Sequence, residues 1–220
     1  KSDGSQLFLA SFQFREDNAS MKTPRIFKFT LGTNWDITNL TSELTTTTVA
    51  DFYLLGAIAT IALTPTGDKL FIGTGYGSYV MHTAQFSLST NFDISTTSLG
   101  TTTPVADLGL NTIAESLYIP GVIGTGNTIG RTYSFQFNSN GTKAWALMTN
   151  DYIYEFDVTT AYDLTTLSYT NNSLSLSSQD SIPRSFFWGD SGFKLYVTGD
   201  ANDSVYQYTA TAAYDLGTVT

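Results

Sequence analysis

The sequence predicts an all-β fold, a β-propeller built from four four-stranded repeats, or blades. Three observations carry this. A phrase made of an alternating strand, a Thr/Ala/Asn loop and an aromatic-Asp-aliphatic triplet recurs four times. A Gly-centred turn leading into an aliphatic–aromatic strand precedes each copy. No stretch keeps a sustained helical period.

Each unit reads as four strands in order. Strand A is an apolar stretch, seen as Ile58–Leu63, Tyr133–Phe137 and Ser185–Trp188. A polar residue and a glycine then make a tight turn, with the glycines at Gly4, Gly67, Gly141 and Gly192. Glycine supplies the positive φ such a hairpin turn needs. Strand B follows in Ser2-Asp-Gly-Ser-Gln-Leu-Phe-Leu9, Thr66-Gly-Asp-Lys-Leu-Phe-Ile72, Asn140-Gly-Thr-Lys-Ala-Trp-Ala146 and Ser191-Gly-Phe-Lys-Leu-Tyr-Val197.

Strand C and its loop are Phe27-Lys-Phe-Thr-Leu-Gly-Thr-Asn-Trp-Asp-Ile37 and Ala84-Gln-Phe-Ser-Leu-Ser-Thr-Asn-Phe-Asp-Ile94 in the first two copies. The later copies read Ile153-Tyr-Glu-Phe-Asp-Val-Thr-Thr-Ala-Tyr-Asp-Leu164 and Val205-Tyr-Gln-Tyr-Thr-Ala-Thr-Ala-Ala-Tyr-Asp-Leu216. A Ser/Thr-rich strand D completes the unit. It leads into Thr47-Thr-Val-Ala-Asp51, Thr103-Pro-Val-Ala-Asp107 and, more loosely, Ser177-Ser-Gln-Asp180.

Successive turn glycines lie 63, 74 and 51 residues apart, so the last spacing is near the minimum for a blade and the others carry insertions. The whole chain, 1–220, is expected to be one propeller-like domain. The first copy lacks a strand A, and the fourth ends where its strand D begins. Three readings stay open: a piece of a longer propeller, a four-bladed ring with one deficient blade, or a blade completed by a neighbouring subunit. The start at Lys1 reads as a processing boundary.

Composition narrows the function classes. Ten Lys and Arg against 19 Asp and Glu give a net charge of −9, which leaves no basic stripe for nucleic acid and disfavours anionic membranes. There is no cysteine, which removes disulfides, thiolate metal sites and thiol catalysis. No apolar run reaches the length that spans a bilayer. An acidic, Thr/Ser-rich surface suits a soluble extracellular, cell-surface or virion-surface protein.

Leu195-Tyr-Val-Thr-Gly with the following Val205-Tyr-Gln-Tyr resembles the YVTN-type β-propeller repeats. The Gly-Thr-Lys phrase at Gly141 is similar to propeller repeats of bacterial surface and phage-associated proteins. The resemblance covers most of the chain in pieces and implies the fold. It implies no active-site set, because propellers host enzymes, adhesins and scaffolds alike.

Loop lengths give a preferred face. The A–B turn and C–D loop stay nearly constant. The B–C connection is long in the first copy, about Phe14–Pro24 with Arg15, Glu16 and Asp17, and spans about Gly73–His82 in the second. The D–A connection grows around Asn111–Gly130. In an antiparallel blade these two connections emerge on one face, which is therefore the expected interaction surface. Tyr76, Tyr79 and Tyr118 are its candidate exposed aromatics for carbohydrate contact.

Chemistry-bearing motifs are sparse. Gly189-Asp-Ser-Gly192 imitates a protease nucleophile segment, but the sole histidine, His82, lies in another copy, and the repeat explains Gly192 as a turn glycine. Gly73-Thr-Gly-Tyr-Gly77 and Gly124-Thr-Gly-Asn-Thr-Ile-Gly130 lack the lysine and the strand-to-helix setting of a phosphate loop. The recurring Asp36, Asp93, Asp163 and Asp215 are expected to accept backbone N–H groups in their loops. No cofactor is expected; Ca²⁺ is the one candidate, held either by these aspartates with nearby carbonyls or by the oxygens of Asp200-Ala-Asn-Asp203. Asn18, Asn39, Asn140, Asn171 and Asn202 head Asn-X-Ser/Thr sequons, open to N-glycosylation in a secreted glycoprotein.

These features point to a non-enzymatic surface propeller, a structural subunit or adhesion and binding module. Its expected partners are further copies of itself, as a homo-oligomer or filament, a surface partner or a glycan. The alternatives are an enzyme of lactonase or glycan-lyase type and a glycan-binding lectin.

Overall fold

The computed structural model describes residues 3–10, 25–48, 57–76, 83–94, 97–98, 132–148 and 150–220. The chain divides into two units, Lys1–Pro104 and Val105–Thr220. Among the described residues every sheet is antiparallel, the helical segments are single 3₁₀ turns, and no helix is long and apolar enough to cross a membrane.

In the first unit, β1 (Gln6–Ala10), β2 (Arg25–Leu31) and β3 (Leu40–Thr48) form one sheet in that order. β4 (Ala57–Leu63), β5 (Lys69–Tyr76), β6 (Thr83–Leu88) and β7 (Thr97–Ser98) form the next. β1 meets β4 between the two sheets. Leu70, Phe71 and Ile72 of β5 are all buried, so both faces of this strand are covered.

In the second unit, β8 (Thr132–Phe137), β9 (Lys143–Met148), β10 (Tyr152–Val158) and β11 (Leu167–Ser175) form a four-stranded sheet. β12 (Pro183–Gly189), β13 (Lys194–Gly199) and β14 (Val205–Thr209) form the last. A place for strand D remains beyond β14, where Ala210 bridges Val219 and Thr209 exchanges backbone hydrogen bonds with Thr220. These are the strands A, B, C and D expected from the repeat, in the expected order.

The two sheets of this unit share one core. Trp145, Leu147 and Ile153 from the β8–β11 sheet pack against Trp188, Leu195, Val197 and Leu216 of the fourth copy. The Trp145 ring lies 5.4 Å from that of Trp188 and 5.7 Å from that of Tyr214. Strand B aromatics therefore pack between sheets.

One device recurs in all four copies and joins the two phrases read from the sequence. Gly4, Gly67, Gly141 and Gly192 have φ near +73° to +91°. Their carbonyls accept the amides of Trp35 (2.8 Å), Phe92 (2.8 Å), Tyr162 (3.0 Å) and Tyr214 (2.8 Å). A second bond follows each time, as in Leu31 N–H to the Ser5 carbonyl at 2.9 Å and Val158 N–H to that of Thr142 at 2.8 Å. Each aromatic ring covers the bare Cα of its glycine so closely that a Cβ there would overlap it. The aromatics themselves sit at φ 57° to 65°, a left-handed conformation rare for bulky residues and held here by the ring–glycine contact. The A–B turn is thus stapled to the C–D loop at one edge of every blade.

The loop aspartates behave as expected where their bonds are seen. Asp36 accepts Thr38 N–H at 2.9 Å and its hydroxyl at 2.6 Å, which holds its carboxyl below the ordinary value. Asp215 accepts Gly217 N–H at 2.9 Å.

Candidate functional site

The edge opposite the staples carries the B–C and D–A connections, and the second unit describes how they meet. Asp180 closes the D–A connection between β11 and β12. Its buried carboxylate accepts three amides: Ile182 at 2.8 Å, and Ala201 and Asn202 at 3.2 Å, both from the B–C connection of the fourth copy. It packs on Gly199, where a Cβ would collide with the carboxylate. These two connections are therefore bound together.

Side chains around this knot are polar and aromatic. Arg184 Nε donates to Asp200 Oδ2 at 2.7 Å, and its guanidinium lies 5.1 Å from the Tyr133 ring centre. Burial alone would lower the Arg184 pKa, but Asp200 and Tyr133 outweigh it and raise it. Asn202 Nδ2 donates to the Gln179 carbonyl at 2.7 Å and to the Tyr206 hydroxyl at 3.1 Å. Asn150 Nδ2 donates to the Tyr154 hydroxyl at 2.7 Å, while burial pushes that phenol up. Asp151, in the neighbouring B–C turn, is raised above the usual carboxylate range by burial and then by the charge of Asp180. This surface can offer hydrogen bonds, a cation and ring faces to a partner.

A second polar centre lies between the sheets. Glu155 of β10 is buried, accepting Lys143 Nζ at 2.8 Å, Asn172 Nδ2 at 3.3 Å, Trp145 Nε1 at 3.4 Å and Leu216 N–H at 2.6 Å. Burial by itself would lower the Lys143 pKa, yet the bonds and charges of Glu155 and Asp157 hold it above its ordinary value.

The residues singled out from sequence fare unequally. Arg15, Glu16, Asp17, Asn18, Tyr79, His82 and Tyr118 lie outside the described residues. Tyr76 corrects an expectation: it is not in a loop but ends β5, paired with Ala57 of β4. Two register shifts in that pairing let the strand run through Gly73 and Gly75, which had suggested a loop. Asp200 faces Arg184, and Asp203 has φ 48°, so the Asp200–Asp203 segment is shaped by its ion pair and turn. Among the described residues no group of three or more His, Cys, Asp or Glu side chains is placed to hold a metal.

Of the described sequons, Asn39 Nδ2 bonds the Thr33 hydroxyl, Asn140 Oδ1 accepts Thr142 N–H and hydroxyl, and Asn202 is engaged as above. Asn171 is exposed on β11. Sequence reasoning missed Glu155 and Arg184. An acid set between the aromatics Tyr154 and Phe156 of β10 was the available signal for Glu155. In the sequence Asp180 stands out only as a loose repeat of Val-Ala-Asp.

No family model matches the chain, and no curated protein matches it. Solved structures do. A candidate 6-phosphogluconolactonase from Bacteroides fragilis aligns over all of this chain and 67% of its own length, with a TM-score of 0.52 and 15% identity. A Lactobacillus plantarum protein aligns over 89% of this chain at 14% identity and a TM-score of 0.44. The Cps50 (Swd1) β-propeller domain of Myceliophteria thermophila aligns over 90% at 10% identity and 0.41. The chain spans 47%, 67% and 64% of the Lactobacillus, Bacteroides and Myceliophteria structures respectively. At such identities the likeness concerns fold alone, and the fold is all-β, of the propeller kind.

Proposed function

We propose that this chain is a non-enzymatic propeller of an extracellular, cell or virion surface, serving as a structural subunit or an adhesion and binding module. The observation that carries the reading is what the recurring residues do. The glycine and the left-handed aromatic, present in every copy, hold each A–B turn to its C–D loop, and Asp36 and Asp215 brace that loop in the first and fourth copies. Variation in length is left to the B–C and D–A connections, and between the third and fourth copies Asp180 ties one of each together. Recurrence on the scaffold and variation at one rim suit recognition more than a shared catalytic centre. The finer placement among YVTN-like, surface and phage-associated repeats rests on Leu195-Tyr-Val-Thr-Gly199 and belongs to this proposal.

The test is a pair of assays on the purified chain. A glycan array and a screen against whole cells should register binding. That binding should vanish when the third copy's short B–C turn replaces those of the first two copies. Turnover of sugar-acid lactones or of polysaccharide by the same preparation would overturn the reading in favour of an enzyme.

A further inference from the structure

The turn into strand B of the third copy, Asn140-Gly141-Thr142, holds the one Asn-Gly pair of the sequence. Such a pair carries an intramolecular chemistry. The glycine nitrogen has no side chain beside it and can reach the carboxamide carbon of the preceding asparagine. Here the asparagine is exposed, and its glycine stands at φ 73°. Asn140 Oδ1 accepts the Thr142 N–H at 3.2 Å and the Thr142 hydroxyl at 2.7 Å. Attack on the carboxamide carbon puts negative charge on that oxygen, where both donors already point, as in an oxyanion hole. The Gly141 N–H donates to the Asn138 carbonyl at 3.1 Å. That bond has to open before the nitrogen attacks, so the folded turn reacts more slowly than a free peptide.

The first copy shows how this turn receives the product. Asp3 stands where the third copy has Asn140, followed by Gly4 at the same φ of 73°. Asp3 Oδ1 accepts the Ser5 N–H at 2.9 Å and the Ser5 hydroxyl at 2.6 Å, the same pair of bonds, each shorter. The charge of a carboxylate strengthens such bonds. The staple discriminates against the alternative product. The Tyr162 amide donates to the Gly141 carbonyl at 3.0 Å, and the Tyr162 ring lies against the Gly141 Cα. An isoaspartyl linkage would route the main chain through an extra methylene and displace Gly141 from that ring.

We propose that Asn140 is a site of spontaneous deamidation, assisted by Thr142 and directed to aspartate by the staple between Gly141 and Tyr162. The Gly141 nitrogen bonds to Asn140 Cγ and gives up its proton, and the carboxamide nitrogen leaves as ammonia. Water then opens the succinimide at its Cγ–N bond, which restores the main chain and leaves aspartate. Opening at the main-chain carbonyl instead gives isoaspartate. In sum, asparagine and water become aspartate and ammonia. Both acids can close again to the succinimide, so isoaspartate formed first is drawn back to the form the staple accepts. The third turn thereby acquires the residue of the first, and the chain gains one negative charge beyond its net −9.

The test is long incubation of the purified chain in mildly alkaline buffer, folded and, in parallel, unfolded in urea. Peptide mapping by mass spectrometry follows Asn140, and enzymatic methylation of isoaspartate separates the two acids. The folded chain should react more slowly and yield mainly aspartate at this position, whereas the unfolded chain should yield mainly isoaspartate. Thr142→Val should slow the folded reaction several-fold and leave the rate in urea unchanged, which a merely structural role would not do. Asn140→Asp, the expected product, should keep the circular dichroism and melting temperature of the wild type. An Asn140 that stays intact in the folded chain while the unfolded chain reacts would overturn the proposal. So would isoaspartate as the main folded product, or a folded Thr142→Val rate equal to that of the wild type.

Discussion

Glu155 of β10 accepts the backbone amide of Leu216 at 2.6 Å, across the boundary between two sheets of the second unit. One carboxylate thereby holds Lys143, Trp145 and Asn172 of its own sheet and the C–D loop of the next. Removing the carboxylate leaves the Leu216 amide and the Trp145 indole N–H without this acceptor, and Lys143 with Asp157 alone. Glu155→Ala should therefore lower stability by about 3–5 kcal/mol. Lys143→Met should cost a comparable amount, because it leaves the buried Glu155 carboxylate without its cation. Urea denaturation, with an unchanged slope, checks both.

The staple between turn glycine and loop aromatic predicts a non-additive pair. Gly141→Ala places a side chain at φ 73° and drives its Cβ into the Tyr162 ring. The backbone alone should cost about 1–2 kcal/mol, and the collision adds to it. Tyr162→Ala removes the ring and its hydroxyl bond to the Ser139 carbonyl. The double variant should be more stable than the sum of the two losses predicts, since the collision exists only when both groups are present. A double-mutant cycle by thermal denaturation measures the coupling.

Asp151 predicts a stabilising substitution with a defined pH window. Burial and the Asp180 charge raise its folded pKa above the unfolded value of about 3.8. The folded state thus binds the proton more tightly, so this carboxylate lowers stability as pH rises through that interval and above it. Asp151→Asn should stabilise at neutral pH by on the order of 0.5 kcal/mol after solvent screening. The gain should fade as pH drops below 3.8. Asparagine also tolerates the φ of 64° at this position. Melting curves at pH 7 and pH 3, on variant and wild type together, check the sign.

The sequons predict unequal occupancy. Asn202 holds the Gln179 carbonyl and the Tyr206 hydroxyl with its amide, so a glycan there would break the knot around Asp180. Asn171 stands exposed at φ 68° on β11. Expressed through a eukaryotic secretory pathway, the chain should carry a glycan at Asn171 and little at Asn202. Peptide mapping after deglycosylation in heavy water reads each site.

The blade was legible because its signals are local. Gly67 and Asp93 stand at fixed places in a phrase, and alternation in Ile153–Val158 marks a strand without tertiary knowledge. Tyr76 misled because two glycines beside it look like loop, and only pairing with β4 reveals a strand. Glu155 and Asp180 were hidden for a different reason. Their partners, Leu216 and Asn202, lie 61 and 22 residues away, and neither a carboxylate's burial nor its donors can be read from its neighbours in sequence. The staple fell between: both halves were recognised as separate phrases, but not that the aromatic ring covers the glycine.

The same loop position in two copies gives the last prediction. Leu216 and Ile37 follow equivalent aspartates, and alignment alone would assign them equal weight. Leu216 is buried among Trp145, Ile153 and Leu195, so Leu216→Ala leaves a cavity and should cost about 2–5 kcal/mol. Ile37 is exposed, so Ile37→Ala removes little buried area and should change stability by less than about 0.5 kcal/mol. Urea denaturation of both variants measures the contrast; equal losses would show that the repeat position, and not its burial, sets the cost.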